Sequence, residues 1–143
     1  MFDLSTMFDL SVEEYKARLG ISKHVAADQI RPLVPTEASE RKNLPIGTGV
    51  LDYFPAALIE VAKVSFEGNN QHNPGQPLHW ARGKSTDQAD TIIRHYLERG
   101  GLDTDGMRHS AKLAWRALAL LQLELEAEGA PLARGAKLPE ESK

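Results

Sequence analysis

Apolar positions fall into separate stretches along this chain, and each predicts a different element. Ser11-Val12-Glu13-Glu14 forms a capping box ahead of a short helix over about Val12 to Leu19, which Gly20 should stop. Residues 20–50 carry Pro32, Pro35 and Pro45 with few apolar repeats. They predict an irregular arm, with a helical turn near Ala26–Gln29, that must lie on its own domain or on a neighbouring subunit. From Leu51 to Glu67 the pattern is helical. Pro55 suits the first turn, and Ala57, Leu58, Val61, Ala62, Val64 and Phe66 give a broad apolar surface. Ala56, Glu60, Lys63 and Glu67 form the remaining stripe, and Gly68 is expected to end the helix. Residues 68–84 are rich in Pro, Gly and Asn and predict a long loop, in which Leu78, His79 and Trp80 argue against plain disorder.

The last stretch predicts a helical hairpin. A second capping box, Ser85-Thr86-Asp87-Gln88, opens a helix to about Arg99, and Gly100-Gly101 ends it. A long helix then follows residues 102–106 and runs to about Glu128. From Leu113 to Leu125 it is apolar on most of its circumference, which predicts burial from several sides, in a bundle centre or a subunit interface. The tail from Gly129 reads as disordered. No convincing strand alternation occurs, so the fold class is all-α. The organisation is an N-terminal helix and arm (1–50), a helical domain (51–128) and a tail (129–143).

Composition narrows the chemistry. The 143 residues suit a single domain, with 41% apolar and 26% charged residues. There is no cysteine, which removes disulfides, thiolate metal sites and a cysteine nucleophile. Hard cations on oxygen ligands become the natural metal choice. The longest apolar run, Ala117 to Leu121, is far too short to span a membrane, and no secretory pattern opens the chain. A cytoplasmic protein without membrane partners is the expectation. The net charge of −3 also argues against binding a nucleic-acid polymer. Met1-Phe2-Asp3-Leu4-Ser5 is repeated at Met7 to Ser11, which reads as a second start codon or a cloning scar.

Charge is unevenly spread. Between residues 68 and 99, Arg82, Lys84, Arg94 and Arg99 outnumber Asp87, Asp90 and Glu98, leaving this window at +1 and the rest at −4. The same window holds His72, His79 and His95. Such a patch beside carboxylates suits a phosphorylated substrate with a divalent metal. Asp87 and Asp90, three apart, can share a helix face and hold Mg²⁺ or Mn²⁺, or can simply favour the positive end of a helix dipole. Glu60 can project towards them or be an exposed stripe residue beside Lys63. Arg94 can pair with Asp90 or clamp phosphate. Trp80 can plug the loop or stack on a base. His72, His79, His95 and His109 can each serve as phosphate donor, acid–base group, ligand or structural donor.

Several motifs fail. Gly83-Lys84-Ser85 resembles the end of a P-loop, but position 78 is Leu78 and no strand precedes it. Asp103-Thr104-Asp105-Gly106 partly resembles an EF-hand loop, but its first position would be Gly101 and its twelfth Lys112. No His-Asp dipeptide or His-Glu-x-x-His helix occurs.

From Arg41 to about Glu126 the chain resembles a phage-associated family of MazG-like nucleotide pyrophosphohydrolases, the dATP/dGTP diphosphohydrolases, and within it the MazZ-type branch. The resemblance is carried by Leu51-Asp52-Tyr53-Phe54-Pro55, Ala57-Leu58, Val61-Ala62-Lys63-Val64, Gly68 and Gln71-His72-Asn73-Pro74. Trp80, Asp90-x-x-x-Arg94-His95, Asp105, His109 and Ala114-Trp115 continue it. It implies a MazG-like helical bundle completed by oligomerisation, as a homo-oligomer (dimer or tetramer). Two or more Mg²⁺ or Mn²⁺ ions would serve hydrolysis of dGTP or dATP to monophosphate and pyrophosphate. Asp87-x-x-Asp90 matches the family's Glu-x-x-Asp with aspartate first. Of its Glu-Glu-x-x-Glu only Glu60 is kept, Ala56 and Ala57 standing for the pair. The metal ligands implied are Glu60, Asp87 and Asp90, with Glu67 in support. His95 is a candidate catalytic group, and Asn73, His79, Trp80, Arg82, Lys84 and Arg94 are candidate substrate contacts. The other function class considered is a non-catalytic helical module for nucleotide sensing or phage assembly.

Overall fold

The computed structural model describes residues 29–84 and 86–136. The expected helix over Val12–Leu19, the repeated pentapeptide, Ser85 and residues 137–143 lie outside them. Among the described residues the chain is helical and forms no sheet; an isolated antiparallel bridge joins Leu102 and Arg108. A short α1, Ala38–Arg41, and a π-helical turn, Gly47–Leu51, punctuate the irregular arm. The body consists of α2, Pro55–His72, α3, Gln88–Leu97, and α4, His109–Ala127.

Pro55 opens α2 as expected, but the helix continues through Gly68 to His72. A glycine inside a helix costs only about 1 kcal/mol relative to alanine, too little to stop one by itself. The end falls where Pro74 disfavours helical geometry at Asn73, which adopts φ −131°, ψ 52°. The predicted loop is correspondingly shorter. Helix α3 is shorter than expected at both ends. Asp87 is its N-cap residue, and after Leu97 the chain leaves the helix to reach Gly100 at φ +90°, a conformation that suits glycine.

Helix α4 packs against both α3 and α2. Ala111, Ala119, Leu123 and Ala127, at intervals of eight, four and four, form its buried stripe. Small residues there bring the helices close. Two polar contacts fix the arrangement. Trp115 Nε1 donates to Ser65 Oγ of α2 at 2.8 Å, and Arg116 donates to the fully buried Gln88 of α3 at 3.1 Å.

The expectation that α4 is buried from several sides needs correction for this single chain. Leu118 and Leu121 are 52% and 51% exposed, as are Ile59 and Phe66 of α2 at 60% and 61%. Two neighbouring helices cover only part of α4's circumference. The tail also departs from expectation where it is described. Gly129 O accepts from Arg31 N, and Gly135 O accepts from Trp80 N at 2.8 Å. Backbone bonding thus attaches residues 129–136 to the arm and the loop without apolar periodicity. Among the described residues no helix is long and apolar enough to cross a membrane.

Candidate active site

A groove of about 810 Å³ runs between α2, α4, the 78–84 segment and the tail residues Ala133 to Ala136. Val61, Val64, Trp115, Leu118 and Leu121 supply apolar wall, while Glu67, His79, Lys84, His95, Asp103, Lys112 and Arg116 supply polar and charged groups. The helices place these groups by register: Val64 and Glu67 are one turn apart on α2, and Trp115 and Arg116 lie one turn beyond Lys112 on α4.

The charged region is built around the α3–α4 turn. Asp103 N donates to Met107 O at 2.7 Å, and Gly106, at φ +80°, lets the chain turn back. Lys112 Nζ lies 2.7 Å from both Asp103 Oδ2 and Asp105 Oδ2. Its hydrogen bond, reinforced by the Thr104 amide, holds the Asp103 carboxyl down at about 2. The same lysine lowers Asp105. Burial works against the Lys112 charge, but the two aspartates outweigh it and raise its pKa.

Beside this pair, His95 Nδ1 and His109 Nδ1 face each other at 2.9 Å. His109 Nε2 lies 3.1 Å from Glu98 Oε2. Where His109 is neutral, this contact assigns the proton to its Nε2, so its Nδ1 accepts and His95 Nδ1–H donates. Burial, followed by the charge of His109 and Lys112, holds His95 below the ordinary histidine value, with Asp103 pulling the other way. One ligand atom each from His95, Asp103 and His109 lie within 4.8 Å of one another.

The sequence-predicted residues distribute differently from the expected pattern. Glu67, Asn73, His79, Trp80, Lys84 and His95 line the groove. Glu60 pairs with Lys63 at 2.9 Å on the exposed side of α2, and this contact lowers its pKa. Asp87 Oδ2 accepts from Thr91 Oγ1 and Arg94 Nη2, both at 2.9 Å, and Oδ1 lies 4.0 Å from Arg116. Burial would raise the Asp87 pKa, yet these partners hold it below the usual range. Burial lowers that of Arg116 against the pull of Asp87. Arg94 therefore meets Asp87 rather than Asp90. Asp90 sits in the first turn of α3, half-buried. No three of Glu60, Glu67, Asp87 and Asp90 converge as the His95 group does.

The candidate substrate contacts are held in place by the protein. Asn73 is buried, donating to Asn69 Oδ1 at 3.1 Å and accepting from Lys84 Nζ at 3.2 Å. Lys84 also donates to His72 O. His79 Nδ1–H donates to Pro77 O at 2.9 Å, leaving Nε2 as its lone-pair nitrogen. Trp80 packs edge-on against Trp115 at 5.8 Å, and Arg82 lies over its ring at 4.6 Å. Arg82 is turned from the groove into a 2.7 Å ion pair with the buried Glu126.

Sequence reasoning missed the grouping of His95 with Asp103 and His109. A signal was present: the two histidines lie seven residues either side of Leu102, at the middle of the predicted turn. Antiparallel helices bring such positions together. Asp103 belongs to the failed EF-hand pattern, and the Lys112 that breaks that pattern is its counter-ion.

The dATP/dGTP diphosphohydrolase N-terminal family matches residues 35–131. The chain belongs to this family, and its enzyme class is that of the diphosphohydrolases. No curated protein and no solved structure matches it.

Proposed function

We propose that the α2–α4 groove binds a purine deoxynucleoside triphosphate, dGTP or dATP, and hydrolyses it to the monophosphate and pyrophosphate. The observation that carries this reading is the groove itself, in which an apolar wall at Val61, Val64 and Leu118 adjoins Lys84, Lys112 and Arg116. A base gains from the first and a triphosphate from the second. Family membership supplies the substrate class. The water oxygen attacks the α-phosphorus, the bond to the α,β-bridging oxygen breaks, and pyrophosphate departs. The water proton passes to His79 Nε2, whose lone pair is fixed by the Pro77 contact. Lys84 holds phosphate oxygens, and Glu67 is the carboxylate of the expected set that we keep beside the substrate.

A divalent ion, when bound, neutralises triphosphate charge and makes water a better nucleophile. Of the expected carboxylates, Glu60 meets Lys63 and Asp87 meets Arg94, so each would share its charge between that partner and the ion.

We also propose that the protein works as a homo-oligomer, for which Ile59 and Phe66 of α2, exposed and outside the groove, are the support. The setting, on the strength of the sequence resemblance, is nucleotide-pool remodelling in the cytoplasm of a phage-infected cell. The test is incubation with each of the four dNTPs and Mg²⁺ or Mn²⁺, followed by product identification. A purine dNMP with pyrophosphate supports the reading. Nucleoside with triphosphate, or no turnover, overturns it, and the latter leaves a non-catalytic module.

A further inference from the structure

We propose that His95, Asp103 and His109 form a divalent-metal site at the edge of the groove, selective for an ion that accepts nitrogen ligands, such as Mn²⁺ or Co²⁺, over Mg²⁺. The inference deepens the reading above by naming where that activity's cation binds, and it rests on that reading for its catalytic meaning only.

Four features of the chain point to it. First, the donors converge: their ligand atoms lie within 4.8 Å of one another, a grouping that Glu60, Glu67, Asp87 and Asp90 do not achieve. Second, the two Nδ1 atoms stand 2.9 Å apart. Two donors at right angles about an ion, each ~2.1 Å from it, are separated by ~3 Å, so the spacing suits adjacent ligands once the rings turn their lone pairs from each other to the ion. Third, Glu98 accepts from His109 Nε2 at 3.1 Å. A carboxylate behind a ligating histidine is the usual device for fixing the ring and turning its other nitrogen towards a metal. Fourth, His95 and Asp103 both line the groove, which puts the cation within reach of a bound triphosphate.

Binding requires three adjustments. The two rings must turn their Nδ1 atoms from each other to the ion. His95 must move its Nδ1 proton to Nε2, a change of tautomer without net protonation. Asp103, whose Oδ1 accepts from Thr104 N and Oδ2 from Lys112, must share its charge with the ion, and Lys112 can remain on Asp105, which it already touches at 2.7 Å. Imidazole nitrogens suit Mn²⁺, Co²⁺ and Zn²⁺ better than they suit Mg²⁺, which takes oxygen ligands and keeps water.

The test is electron spin-echo spectroscopy of Mn²⁺ added to the full chain without nucleotide, with the affinity measured by titration. Histidine-nitrogen coupling to Mn²⁺ is expected. Asp103→Asn should weaken Mn²⁺ binding at least tenfold, and His95→Asn should reduce the nitrogen coupling. Glu98→Gln, at an exposed position, should weaken binding by ~10-fold. Asp90→Asn should change neither measurement. Unchanged far-ultraviolet circular dichroism guards against misfolding, and Glu98→Gln keeps the test informative if Asp103→Asn fails to fold. Oxygen-only coordination, or binding lost in Asp90→Asn and retained in Asp103→Asn, overturns the proposal, as does absence of binding. dNTP turnover without nitrogen coupling would sink this site and leave the activity standing. Nitrogen coupling without turnover would do the reverse.

Discussion

Asp87 Oδ2 accepts from both Arg94 Nη2 and Thr91 Oγ1 at 2.9 Å, tying the N-cap of α3 to its second turn. Asp87 is buried, so losing its charge leaves Arg94 and Thr91 without their common acceptor. Asp87→Asn should cost ~1–3 kcal/mol, measured by urea unfolding. The folded-state pKa is depressed, so this stabilisation is present above the unfolded value of ~3.9 and fades as pH falls through the lower folded value. Wild type should therefore lose stability relative to Asp87→Asn below about pH 4.

Arg82 and Glu126 make the second prediction. Their ion pair is closed at 2.7 Å with the Glu126 side chain wholly buried, yet Arg82 Nη2 and Glu126 Oε2 lack partners among the described residues. Glu126→Ala strands a largely buried guanidinium and should cost ~3–5 kcal/mol. Replacing both with apolar residues, Arg82→Met with Glu126→Leu, should restore most of that loss, because neither charge then remains to be desolvated. Equilibrium denaturation of the single and double variants decides it.

Lys84 reads out substrate binding. If it holds phosphate oxygens, Lys84→Met should raise KM by ~10-fold or more with a smaller fall in kcat, the magnitude expected for losing one charged hydrogen bond. A melting curve checks its other task, since Lys84 also bonds Asn73 and His72. An unchanged KM would remove it from the substrate site.

The exposed apolar residues of α2 report on assembly. Ile59→Glu with Phe66→Glu places two charges on an exposed face outside the groove and should barely disturb an isolated chain. In an oligomer buried on that face, the same change should shift light-scattering mass to the monomer. An unchanged mass would move the interface elsewhere.

Much of the fold was legible because helices announce themselves by period and punctuation. Pro55 marked the start of α2, and the glycines of the α3–α4 turn marked the hairpin. Gly68 misled because its local cost is small beside the continued bonding of an eighteen-residue helix. The tail was illegible for another reason. Gly129 and Gly135 are attached through backbone carbonyls, which leave no side-chain pattern. For the site, sequence spacing singled out cations, histidines and carboxylates, of which Glu67, His79, Lys84 and His95 line the groove, but it ranked the carboxylates by a motif on single helices. The convergence of His95, Asp103 and His109 crosses from helix to turn to helix, so only the hairpin's return brings it about.

That return makes the segment from Glu98 to Arg108 a ruler. The Leu102–Arg108 bridge fixes the separation between the two helix ends. One residue inserted or deleted here would rotate α4 by ~100° relative to α3 and slide it by ~1.5 Å, if the helices kept their places. His109 would then leave His95, although every side chain of the cluster would still be present. In this family, a change of length between the histidines should thus be as consequential as a change of histidine. Loop length at this turn becomes a criterion for sorting chains that keep the cluster's chemistry from those that keep only its letters.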